Sequence, residues 1–275
     1  MLLDRLLVAY GHFPHHPGKG AVYDRLLPLV ESAWQVPKLR TRYGVRFECD
    51  LNDKVTRLIY YVGFDRRNCR VAKHLVKPGD IVLDAGANVG YFSLLFARWM
   101  RGEGVVHAFE PFPETARRFE RNLELNLRLR PVVHLHRLAL SDFSGKMNMT
   151  VPDRKNQGCN YLGGAGGDEV EVTTLDAFCE KERLIRVDLV KIDVEGSELA
   201  LLKGAEQTIR RFRPVLMIEV NPSTLQRVGY ESRDLIEAIG RYGYHMHYAG
   251  RLGLKLLERL PVHGEEPTIY AFPYN

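Results

Sequence analysis

A chain of 275 residues is long enough for one large α/β domain with an appendage and short for two full domains. Its hydrophobic share of 45% and charged share of 27% are ordinary for a globular protein, and the net charge of +5 is too mild to demand an anionic partner. Four scattered cysteines, Cys49, Cys69, Cys159 and Cys179, contain no C-x-x-C pair, which argues against a disulfide frame or zinc site and for a reducing, cytoplasmic setting.

No apolar run reaches membrane-spanning length, and MLLDRLLVAYGHF carries Asp4 and Arg5 inside its apolar stretch, unlike a signal peptide. Leu2, Leu3, Leu6 and Leu7 recur at helical spacing, and VYDRLLPLVESAW suggests a second helix interrupted near Pro28. The loop HFPHHPGKG lies between them. Two roles stay open for this segment, covering a cofactor or mediating homodimerisation. TRYGVRFECDLNDKVTRLIYYV alternates like a small strand pair, so residues 1–62 read as a helical and hairpin appendage and 63–275 as the main domain. A helix over 65–76 ends at Lys77-Pro78-Gly79.

The stretch DIVLDAGANVGYFSLL is the organising one. IVLD reads as a buried strand, Gly86 to Gly90 as a tight turn, and YFSLLFARWM as a helix. Strand, glycine turn and helix open a nucleotide-binding sheet, because glycines let backbone N–H groups approach a bulky ligand. The pattern from Asp84 is D-x-G-x-N-x-G, not the dinucleotide G-x-G-x-x-G. An acid at the strand end is a poor neighbour for pyrophosphate and suits a cationic ligand. Asp84, Gly86, Asn88 and Gly90 are therefore candidate cofactor residues.

GVVHAFEPFP supplies the next strand. Glu110 ends it about 20 residues past the turn, where such sheets place a ribose-binding acid, and Phe112 is positioned to pack on a base. VVHLHRLALSD gives a third strand. Its His134 and His136 share a face without completing a metal set, and Ser141 and Asp142 offer acceptors for an exocyclic amine or form an ordinary turn. The alternation then lapses over 146–175, an inserted hairpin whose glycine-rich loop 152–168 reads as a mobile lid. Gln157, Asn160 and Tyr161 in it could bind a hydroxylated substrate.

VDLVKIDVEGSELALLKGA holds a buried strand ending at Asp193 and a helix from about Ser197; Lys191, Asp193 and Glu195 alternate on one side if the strand runs that far, or Glu195 helps to cap the helix, the stronger expectation. RPVLMIEVNP is a fifth strand ending at Glu219 and Asn221. GYHMHYAG and PTIYAFP form a closing antiparallel pair.

Together PGDIVLDAGANVGYFSL, FEP, ALSD with Gly145, TTLDAF and VKIDVEGSELALLKGA followed by the P-x-L-x-x-E strand resemble the FkbM family of S-adenosylmethionine (SAM)-dependent methyltransferases. The resemblance covers about Gly79 to Val220. It implies a Rossmann-like class I fold: a seven-stranded, mostly parallel sheet with a reversed last strand and helices on both faces. It further implies O-methylation of a hydroxyl on a sugar, glycoconjugate or natural-product scaffold. Strands four and five end side by side, so Asp193, Glu219 and Asn221 are expected to converge on the acceptor oxygen, as base and orienting groups or as ligands of Mg²⁺. Two alternatives share the fold: a nucleic-acid methyltransferase, which lacks a base-flipping motif or dense basic stripe here, and a non-catalytic SAM-binding module.

Overall fold

Short segments that are apolar on both faces can be buried only in a sheet covered by helices on each side. The computed structural model, which describes residues 2–12, 19–31, 36–151, 160–163, 167–250, 253–259 and 267–274, shows this arrangement. The chain opens with α1 (Leu2–His12), α2 (Lys19–Leu26) and the single turn α3 (Pro28–Glu31), followed by the hairpin β1 (Lys38–Arg42) and β2 (Val45–Cys49). Helices α4 (Lys54–Tyr61) and α5 (Arg66–Leu75) lead to β3 (Ile81–Ala85), α6 (Tyr91–Trp99), β4 (Val105–Phe109), α7 (Pro113–Glu124) and β5 (Val133–His136). An inserted sheet follows, of β6 (Ala139–Leu140), β7 (Gly145–Thr150), β8 (Tyr161–Leu162) and β9 (Asp168–Thr173). The chain continues through α8 (Leu175–Lys181), β10 (Leu189–Ile192), α9 (Glu198–Lys203), α10 (Glu206–Phe212) and β11 (Val215–Glu219). It closes with α11 (Pro222–Arg227), α12 (Ser232–Arg241), β12 (Tyr244–Ala249), β13 (Leu254–Leu256) and β14 (Thr268–Pro273).

The main sheet runs in the order β13-β12-β14-β11-β10-β3-β4-β5. Strands β11, β10, β3, β4 and β5 are parallel, and β14 runs antiparallel to both its neighbours. Seven of these strands make the expected sheet with its reversed last strand. The eighth, β13, adds an exposed three-residue edge that the sequence pattern did not announce. Val82 and Val106 face a core that contains Leu94, Leu95 and Phe119, whereas Leu83 and Ile192 face Phe178, Leu201 and Leu235 on the other side. Strand pleating sends successive residues to opposite faces, so one apolar run supplies both cores.

The appendage is not a separate body. Val45, Phe47 and Cys49 alternate inward from β2 into the main core, together with Ile59 of α4. The terminal helices make their own small cluster of Leu7, Tyr23, Val30, Leu51 and Tyr61. In the insert, β7 and β9 form the expected hairpin, and Met149, Val170 and Val172 pack with Phe112 and Ala139. Most of the expected lid, residues 152–159 (with Gln157) and 164–166, lies outside the described residues. Among those described, no helix is long and apolar enough to cross a membrane.

Candidate active site

In a parallel sheet, ligands collect beyond the carboxyl ends of the strands, at the point where the connections diverge. Here β3 is that point, flanked by β10 and β4. The turn after β3 is tied down by its backbone: Gly86 N and Ala87 N donate to Phe109 O at 3.1 and 2.9 Å. Gly86 has φ +75°, and a Cβ there would stand 1.8 Å from Asp193 O, so only glycine lets the ends of β3 and β10 close together. Gly90, at φ +81°, meets the Phe119 ring in the same way.

Glu110 is buried beside this turn. Its Oε2 accepts from Asn88 N at 2.9 Å and its Oε1 from Phe112 N at 3.0 Å. Burial raises its pKa to about 7, although those two N–H groups pull it down. Each oxygen keeps a further lone pair for a donor.

Asp84 does not face the cleft as expected. It is 0% exposed, accepts from Ser93 Oγ at 2.5 Å, and lies 3.3 Å from Lys191 Nζ. That last contact lacks hydrogen-bond alignment and is electrostatic. The acid thus neutralises a buried lysine, not a ligand. Lys191 Nζ also donates to Asp193 Oδ2 at 3.1 Å and Gly86 O at 3.4 Å, which links the glycine turn to the end of β10. Burial lowers the lysine pKa, but Asp193 and Asp84 together raise it above its ordinary value, so it stays charged.

A second cluster forms at the ends of β10 and β11. Carboxylate atoms of Asp193, Glu195 and Glu219 lie within 4.8 Å of one another. Burial, and then the charges of Asp193 and Glu195, raise the Glu219 pKa well above the carboxylate range, with a hydrogen bond to Asp193 adding to the effect. The ionised form of Glu219 is therefore disfavoured beside its neighbours. Asp65, before α5, is raised by burial and also by Asp193. Glu198 reaches back to accept from Gly196 N at 3.1 Å and Val194 N at 3.3 Å, the capping role expected of Glu195. Glu195, at φ +52°, joins the acids instead.

One cleft, open at its mouth, joins the two clusters. Gly86, Asn88 and Glu110 line it with Asp193 and Glu195. Gly90 packs on Phe119 and Phe112 is buried with Met149, so neither lines the cleft. Ser141 and Asp142 fall one and two residues beyond its wall at Leu140; Ser141 O presses on Gly204, where a Cβ would stand 2.0 Å away. Asn221 is a helix cap: its Oδ1 accepts from Ser223 N at 3.0 Å and Thr224 N at 3.4 Å, with Pro222 at the first helical position. Of the three expected catalytic residues, Asp193 and Glu219 come together and Asn221 does not, its place in the carboxylate group being taken by Glu195. Lys191 as a buried charge link and Asp65 beside Asp193 were not foreseen, whereas Glu195 beside Asp193 was the weaker of its two expected places. K-x-D in a buried strand was the available signal for the first.

The Methyltransferase FkbM domain model matches residues 84–246. The chain is 26% identical over 162 residues to the 2-O-methyltransferase NoeI of Sinorhizobium fredii, covering 52% of this chain and 65% of that one. It is 25% identical over 175 residues to the hexuronic acid methyltransferase AglP of Haloferax volcanii, covering 64% and 70%. The chain spans 60–65% of the length of most of the curated relatives it matches. In fold it is similar to the crystal structure of a methyltransferase FkbM from Methylobacillus flagellatus KT, with a TM-score of 0.50, 16% identity, and coverage of 92% of this chain and 60% of that one.

Proposed function

The chain belongs to the FkbM methyltransferase family, and from that premise we propose that it transfers the methyl group of SAM to a hydroxyl of a sugar, glycoconjugate or natural-product scaffold. The observation that carries this reading is the single cleft in which the Gly86–Glu110 side meets the Asp193 side. The names of two relatives, a 2-O-methyltransferase and a hexuronic acid methyltransferase, support an oxygen acceptor on a sugar-like molecule.

The residues fit the cofactor. Glu110 is a buried acid already fixed by two N–H groups, and its remaining lone pairs suit the paired hydroxyls of a ribose. SAM supplies a methyl group on a sulfonium, a good leaving group for an in-line displacement. The protein must hold the acceptor oxygen in line and take its proton. Asp193, at the cleft wall, is the group that meets that hydroxyl. Its carboxylate is anchored by Lys191 on one side and lies within 4.8 Å of the Glu219 carboxyl on the other. The proton leaving the hydroxyl passes to this pair, where the crowding that disfavours the ionised form of Glu219 favours taking it up.

The mutual closeness of Asp193, Glu195 and Glu219 also favours a second form of the reading. Three hard oxygen donors fit Mg²⁺ or a relative, which would lower the pKa of a bound hydroxyl. The ligand group would then be these three acids, not the set with Asn221.

The test is transfer of labelled methyl from SAM to a panel of glycosides, uronic acids and polyketide alcohols, with and without chelator. The expected product is an alkali-stable methyl ether. An alkali-labile ester, or label only in RNA, would contradict the hydroxyl reading. Activity lost to chelator and restored by magnesium would select the metal-assisted form.

A further inference from the structure

Asn160 is 7% exposed, and neither its Oδ1 nor its Nδ2 has a hydrogen-bond partner among the described residues. It is the one described side chain with two such buried atoms. A buried amide left this way is destabilising until a partner meets it, and the cleft that it lines can bring one. The side chain lines the cleft among Leu138, Ala139, Leu140, Met149 and Leu162. Its place is set by the inserted sheet, where β8 begins at the next residue and pairs with β7 through Thr150↔Tyr161 and Met149↔Leu162.

Strand order tells what this apolar slot receives. Along the sheet edge the sequence is Asp193 after β10, Gly86 after β3, Glu110 after β4, and then Leu138 to Leu140 after β5. With the ribose on Glu110 and the transferred methyl toward Asp193, the base falls on the far side, in the slot that Asn160 closes. A flat apolar slot with one amide presents an acceptor and a donor side by side. Adenine offers the complement, an exocyclic amine beside an acceptor ring nitrogen, and Asn pairs with that edge in two hydrogen bonds.

We propose that Asn160, from the inserted hairpin, reads the adenine of the cofactor. This rests on the SAM reading above, and it moves base recognition from Ser141 and Asp142, which lie outside the cleft wall, into the insert.

The experiment is calorimetric titration of the full chain with S-adenosylhomocysteine and with its 6-deamino analogue, which carries purine in place of adenine. The wild type is expected to prefer the amino form by roughly 5- to 150-fold. Asn160→Ala should bind both forms about equally. Asn160→Asp, which still accepts from the amine but cannot donate to the ring nitrogen, should bind more weakly yet keep the preference. Equal wild-type affinity for both ligands, or an Asn160→Ala variant that keeps the wild-type preference, overturns the assignment. So does an Asn160→Ala variant with intact ligand binding and a raised KM for the acceptor, since the amide would then belong to the acceptor. If the wild type binds neither ligand, the SAM reading itself has failed and the adenine assignment falls with it.

Discussion

The two ends of the cleft solve opposite electrostatic problems with the same residue type. At the glycine turn, each acid has its counterpart: Glu110 accepts two backbone N–H groups, and Asp84 sits against Ser93 and Lys191. At the ends of β10 and β11, Asp193, Glu195 and Glu219 crowd together, and Lys191 donates to the first of them. The first end is organised before any ligand arrives. The second stores like-charge repulsion, which a proton, a cation or a substrate relieves. On the proposed function, binding falls to the paired end and chemistry to the crowded one.

Several substitutions would sharpen or break that division. Asp193→Asn keeps the size and removes the charge at the crowded end. Turnover should fall by roughly 10²- to 10⁴-fold, the usual worth of a positioned acid–base group, with SAM affinity nearly unchanged in calorimetry. Lys191→Met tests the join between the ends. It strands the fully buried Asp84 charge, so the protein should lose about 3–5 kcal/mol in chemical denaturation. A small loss would mean that Asp84 has water or another partner.

Glu110→Ala should weaken S-adenosylhomocysteine binding by roughly 1.5–3 kcal/mol. The pH dependence has a definite sign. Ribose hydroxyls donate to the ionised carboxylate, so the complex favours the form without its proton. Because the free-protein pKa is raised to about 7, wild-type affinity should climb as pH rises through that value. In Glu110→Gln the climb should vanish; an identical climb would place the titrating group elsewhere. The smallest effect belongs to Asn221→Ala, which removes a helix cap. Stability should drop by about 1 kcal/mol with turnover unaltered. A turnover loss matching that of Asp193→Asn would return Asn221 to the chemistry.

Much of this was legible in the sequence because it is local. Strand runs bounded by glycines, the D-x-G-x-N-x-G turn and Glu110 at its proper distance all depend on near neighbours. Asp84 was misplaced because its partner, Lys191, arrives from a strand 107 positions later, and no spacing rule reports which charge a sheet brings alongside. Asn221 carried a readable signal, Asn before Pro at a helix start, but its place at a strand end suggested catalysis. Glu195 was hidden by a left-handed backbone at the β10–α9 turn, which aims its side chain away from the helix it was expected to cap. Asn160 sits in a glycine-rich stretch without periodicity, so only the three-dimensional slot distinguishes it from Gln157 or Tyr161.

The property most open to direct test is that crowding of the acids favours uptake of a proton at Glu219. Carboxyl ¹³C NMR across a pH titration of the wild type, Glu219→Gln and Asp193→Asn would observe it without any acceptor in hand. One carboxyl should titrate well above the ordinary value of about 4, vanish in Glu219→Gln, and move back toward that value in Asp193→Asn. If Glu219 titrates in the ordinary range, or keeps a raised value after Asp193→Asn, the two acids do not share a proton and the base assigned to this site is wrong.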